Sequence, residues 1–126
     1  MTTAYWCILI AGLMPVITVA IAKGGKKDFD NAQPRRWLEQ QDGFRSRADA
    51  AHRNHFEAFP FFAAGVLVAQ QCDVPQNLID QLAMTFIALR VVYTATYLTN
   101  RATLRTLSWA LGMLTVIGQF ILSATV

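Results

Sequence analysis

Charge is scarce in this chain. Only 15% of its 126 residues are Asp, Glu, Lys or Arg, against 54% hydrophobic. Basic residues are missing from Met1 to Trp6, from the segment Gln70 to Asn77 and from the C-terminus. A secretory leader needs a basic start, so the first apolar run reads as a retained helix even though Ala20-Ile21-Ala22 imitates a cleavage site. There is no interleaving of basic and aromatic residues of the kind that binds nucleic acid, so no nucleic-acid partner is expected. No nucleophile triad, no phosphate-cradling glycine loop, no internal repeat and no low-complexity tract is present, which leaves one domain over residues 1–126.

Long apolar runs are what the chain does have. Tyr5 to Ala22 is apolar apart from one threonine, Leu78 to Leu98 is mostly so, and Leu104 to Val126 forms another. Each is near the ~20 residues that cross a ~30 Å hydrocarbon core. Between them, Ala58 to Ala69 is apolar but would rise only ~18 Å as helix, too short to cross unless extended backwards through Arg47-Ala48-Asp49-Ala50-Ala51-His52-Arg53-Asn54-His55-Phe56-Glu57. The fold class expected is therefore all-α and integral to a membrane, with spans at about 4–22, 47–69, 78–98 and 104–125. Pro15 and Pro60 remove one backbone bond each and predict kinks in the first and second spans.

The basic residues set the expected orientation. Lys23, Lys26, Lys27, Arg35, Arg36, Arg45 and Arg47 lie between or at the edges of spans one and two, and Arg101 and Arg105 between or at the edges of three and four. By the positive-inside rule these connections are cytoplasmic and both termini lie outside. The chain's compactness points to a bacterial inner membrane, with lipid as a constant partner. Within the first connection, Pro34 to Gln41 suggests a short interfacial helix carrying Trp37 and Leu38 over the cytoplasmic end, the alternative being a loop with one aromatic anchor. Cys7 and Cys72 both fall near the outer face, where a disulfide would require an oxidising compartment; isolated cysteines on apolar faces are favoured.

Polar residues at membrane depth usually mark a working site. Counting ~1.5 Å per residue places Glu57 ~20 Å and Arg90 ~18 Å from the outer face, so they are expected to pair. The same count puts Asn54 and Tyr93 at ~22–24 Å and Arg53 and Tyr97 at ~26–29 Å. Arg47, Asn54 and Glu57 share one helical face, and Arg90, Tyr93, Tyr97 and Arg101 another. Two facing polar stripes describe a pocket open to the cytoplasm, or else a network that only locks helices together. His52, His55 and Glu57 do not share one face as metal ligands would, so no metal is expected.

Arg47-Ala48, then Ala51-His52-Arg53-Asn54-x-x-Glu57 leading to Pro60-Phe61, and later Arg90-x-x-Tyr93-x-x-x-Tyr97 followed by Arg101 and Arg105-Thr106, resemble the MAPEG family, the membrane-associated proteins in eicosanoid and glutathione metabolism. The resemblance implies a four-helix bundle, typically a homotrimer, with glutathione as cosubstrate held between subunits near the cytoplasmic face. Arg53, Asn54, Glu57, Arg90, Tyr93, Tyr97, Arg105, Thr106 and Trp109 match positions that line that site. The sequence departs from the pattern at Ala50, where glutathione-using animal members usually carry arginine, at Tyr93, where some have histidine, and between Glu57 and Pro60, where one residue fewer is present.

Several arginines with one carboxylate complement a tripeptide that brings two carboxylates, an ammonium and a thiol. A free thiol has a pKa of ~8.5, and lowering it by about two units takes ~2.7 kcal/mol of preferential anion stabilisation. Arg105, at the start of the last helix, is the expected thiolate stabiliser, with Thr106 assisting and Tyr97 an alternative donor. The implied activity is a glutathione-dependent transferase or peroxidase acting on a small lipophilic electrophile. The alternative is a non-catalytic relative that binds lipid or a partner protein.

Overall fold

The computed structural model describes residues 1–126 and contains helices only. Four are long: α1 (Thr3–Lys23), α3 (Gly43–Gln71), α4 (Gln76–Leu98) and α5 (Ala102–Thr125); α2 (Pro34–Glu39) is a short piece in the basic connection. α1, α4 and α5 are long and apolar enough to cross a membrane. α3 does not qualify on composition, because its first half carries Arg45, Arg47, Asp49, His52, Arg53, His55 and Glu57. It is nonetheless one continuous helix of 29 residues, so the polar motif and the apolar segment share a single axis about 43 Å long. α1 runs on through Pro15, and α3 through Pro60.

Close packing explains why these helices associate without a hydrophobic drive from water. The buried residues of α1 are Ala4, Cys7, Ala11, Pro15, Thr18 and Ala22, a stripe of small side chains repeating every three or four positions. The buried stripe of α3 includes Ala48, Ala51, His55, Ala58, Phe62, Gly65 and Ala69 at the same spacing. Small residues let backbones approach and gain dispersion along their length, the usual source of helix affinity in lipid. α1 accordingly packs chiefly on α3, and α4 on α5, with α3 also meeting both α4 and α5. Phe62 and Phe86 fill the centre, stacked with centroids 4.0 Å apart. The large apolar side chains of α1, among them Trp6, Leu13, Val16 and Ile17, face outward, the inverse of a water-soluble domain.

Side chains tie the two ends of the molecule. At one end Asp80 Oδ1 accepts from the Ala4 N–H at 2.9 Å, and Thr2 Oγ1 from Tyr5 N–H at 3.2 Å, so two of the orphan donors of α1 are met. At the basic end the first arginines of α3 serve the opposite need. Arg45 Nη1 donates to the carbonyls of Ala22 and Gly24 at the end of α1, and Arg47 Nε and Nη2 donate to Leu98 O at the end of α4. The expected Pro34–Gln41 helix is present as α2: Trp37 and Leu38 are buried with Ala22 and Ala48, against Val19 and Leu98, and so cover that end.

The α4–α5 connection is a tight reversal that matters for the site. Asn100 adopts φ 60°, its N–H donates to Tyr97 O at 3.1 Å, and the Arg101 N–H donates to Thr96 O at 2.8 Å. This pair of bonds closes the carbonyl end of α4 with a left-handed residue, a conformation asparagine accepts more readily than most. The chain turns at once into α5, which brings Arg105 back alongside Tyr97.

Candidate functional site

A cavity of about 230 Å³ opens at the basic end, lined by Asn54 of α3, Tyr93 and Tyr97 of α4, and Arg105, Thr106 and Trp109 of α5. Helical spacing explains the grouping: Tyr93 and Tyr97 are one turn apart on α4, and Arg105 and Trp109 one turn apart on α5. The Arg105 guanidinium lies 4.6 Å from the Tyr97 ring centre. Tyr97 meets Tyr93 edge to face at 5.6 Å, and the Arg90 guanidinium sits 4.2 Å over Tyr93 on its other side. Arg105, Tyr97 and Tyr93 thus form one wall of the cavity with Arg90 packed against Tyr93, each step a favourable cation–π or edge contact.

Arg90 and Arg105 make no ion pair, and the carboxylate nearest the lining residues in the bonding network is that of Glu57, held by Asn54. The only ion pairs in the chain belong to Arg53, with Asp49 at 3.2 Å and Glu39 at 3.9 Å. Asn54 Nδ2 donates to Glu57 Oε2 at 3.3 Å, while Asn54 Oδ1 is buried without a partner. An unmet acceptor near two guanidinium groups that make no ion pair is an arrangement that a bound anion with an N–H group would complete. Trp109, 40% exposed, stands at the rim with Leu107 and Leu111 also facing out on α5, so the polar cavity borders an apolar surface.

Six of the nine residues expected from the sequence thus line one cavity, and three do not. Arg53 points away from it, half-exposed, into its pairs with Asp49 and Glu39. Glu57 is exposed and does not pair with Arg90. Depth counting put the two near one level, but at ~100° per residue the face of α3 that meets Arg90 belongs to position 55, not 57. Arg90 instead donates from Nε and Nη2 to His55 Nδ1 at 3.3 and 2.8 Å, and is itself only 3% exposed. Arg47, one further step along α3, does not line the cavity and instead reaches the open carbonyl of Leu98 on α4.

His55 is the residue that sequence reasoning missed. Its spacing from His52 suggests only a metal ligand, and the His52 Nδ1 donates to Pro15 O at 2.8 Å. No group of three metal-binding side chains gathers anywhere in the chain, and both cysteines are free, Cys7 buried and Cys72 exposed. The signal for His55 was its place in the alanine stripe of α3, between Ala51 and Ala58. A histidine in a stripe of small buried residues must find polar partners inside.

No curated protein and no solved structure matches the chain at a significant level. The family model described as the MAPEG family matches residues 3–125, nearly the whole chain and every helix of the site. Together with three helices able to cross a membrane, that match makes this an integral membrane protein that belongs to the MAPEG family, the membrane-associated proteins of eicosanoid and glutathione metabolism.

Proposed function

We propose that the chain is a glutathione-dependent transferase or peroxidase that works on lipophilic electrophiles reaching it from the bilayer. The observation that carries this reading is the cavity's unpaired charge: Arg105 on its wall and Arg90 behind Tyr93 make no ion pair, while Asn54 Oδ1 waits for a donor. The carboxylates of glutathione suit the arginines, and an amide or ammonium N–H of the same molecule suits Asn54.

Arg105 and Thr106 are the groups assigned to the thiol. Both lie at the start of α5, where free backbone N–H groups and the guanidinium favour a thiolate over a thiol. The thiol releases its proton to water, and the sulfur pair attacks an electrophilic carbon; a carbon–sulfur bond forms as the leaving group departs with its bonding pair. With a hydroperoxide, two glutathiones give up two electrons and two protons, yielding their disulfide, an alcohol and water. Tyr97, held under Arg105, is the second donor available to the anion.

One chain supplies only part of such a site. About 230 Å³ is smaller than the ~300–1,000 Å³ usual for ligand pockets. A homotrimeric assembly of four-helix bundles, as the family resemblance implies, would complete it between neighbours and engage the outward-facing Arg53 and Glu57. In this reading α3 crosses the membrane with the other three long helices, both termini lie outside, and the cavity opens to the cytoplasm.

Ultraviolet absorbance of glutathione thiolate on the purified protein, together with conjugation of a generic aryl halide, tests the proposal. Arg105→Ala should cut the conjugation rate roughly a hundredfold, the usual loss when one stabilising donor is removed from a developing or bound anion. Because Arg105 has no ion pair to lose, the melting temperature should barely move. Thiolate formation and turnover that survive in Arg105→Ala would sink the assignment; binding without turnover in the native protein would favour a non-catalytic relative.

A further inference from the structure

The partner of Arg90 is neutral, and the hydrogen bonds around it show why. A guanidinium can only donate, so the two Arg90 bonds that converge on His55 Nδ1 require that nitrogen to carry no proton. The ring proton is therefore on Nε2, 2.9 Å from Thr94 Oγ1, which accepts it; the Thr94 hydroxyl in turn donates to Arg90 O at 2.9 Å. Arg90 side chain, His55, Thr94 and Arg90 main chain form a closed circuit. Every proton in it is assigned, and none of the three side chains supplies a negative charge. His55 is 3% exposed, so water does not compete for it.

We propose that His55 is a positioning residue that fixes Arg90 beneath Tyr93 without cancelling its charge, so that the cavity draws on two cations, Arg105 beside the bound anion and Arg90 behind it. A buried guanidinium is ordinarily matched with a carboxylate, which would hold it equally well and quench its field. A neutral acceptor holds the group and adds no opposing charge of its own. Arg90 lies 4.2 Å from the ring of Tyr93, which lines the cavity, and at 3% exposure it is itself shielded from solvent. The inference rests on glutathione being the ligand of that cavity.

Two substitutions separate positioning from charge in the full chain reconstituted in phospholipid nanodiscs. His55→Gln keeps a neutral acceptor for Arg90 and a donor for Thr94; it should bind glutathione nearly as the native protein does. His55→Glu should melt no lower than His55→Gln, since it offers Arg90 a true ion pair, yet bind glutathione roughly tenfold more weakly, as expected when a full charge near an anion is neutralised at an effective dielectric of about 20. Its thiolate absorbance should also appear at higher pH. Native-like affinity and thiolate titration in His55→Glu would overturn the inference, as would equal losses in both variants, which would mark His55 as a packing residue. If the native protein itself binds no glutathione, the glutathione reading fails first and this inference falls with it.

Discussion

Gln119 shows what a single residue can cost in this structure. It is 1% exposed on α5, and neither its Oε1 nor its Nε2 has a partner. Its oxygen lies 2.6 Å from where a Cβ on Gly65 would stand, so glycine is what allows α3 to pass over the amide. Methionine has nearly the same shape and no polar atoms to leave unmet. Gln119→Met is therefore expected to stabilise the protein by about 1 kcal/mol, read as a higher midpoint in detergent denaturation; a loss of stability would mean that the amide has a partner in the assembled protein. The catalytic candidates are legible in a different way. Asn54, Tyr93 and Tyr97 could be singled out by depth because polar residues in an apolar span have few reasons to be there, whereas Arg105, Thr106 and Trp109 were singled out through the family resemblance. The partner of each could not be, since a partner depends on which face another helix presents.

At the scale of elements, most of the site's geometry comes from how helices end. The arginines at the head of α3 close the carbonyl ends of α1 and α4, and the left-handed Asn100 turns the chain so that Arg105 reaches the Tyr97 ring. Asn100→Ala should cost about 1 kcal/mol, because a Cβ residue without a short polar side chain is strained at positive φ, whereas Asn100→Gly should be neutral or nearly so. The Ala variant should also raise the KM for glutathione by loosening the placement of Arg105; thermal melting and steady-state kinetics on both variants check the two parts. Helix number and approximate extent were readable from the apolar runs. The membership of Arg47 in a helix cap was not, because the free carbonyl of Leu98 exists only once α4 has stopped beside α3.

For the whole molecule, the uneven basic residues and the two ends of the fold make one further prediction. Cys72 is exposed in the α3–α4 turn, at the end away from α2, and Cys7 is buried on α1. On the proposed topology, in which both termini lie outside, a membrane-impermeant maleimide should label Cys72 on intact cells and leave Cys7 alone, while a cysteine placed at Ser46 should react only after permeabilisation; the reverse pattern would invert the topology. What the sequence determined by itself was the class of the molecule: helical, set in a membrane, of the MAPEG family, with a polar motif at the head of its second long helix. Those features follow from local composition and from residue order, which need no neighbour to be read. Only the tertiary structure decided that Arg90 bonds to His55 instead of Glu57, that Arg53 turns outward, and that six residues from three helices close on one cavity. A step of one residue rotates a side chain by about 100°, so which groups meet depends on the rotation of each helix about its axis. That rotation depends on the small-residue stripes of α1 and α3 and on the bonds that tie the head of α3 to the ends of α1 and α4.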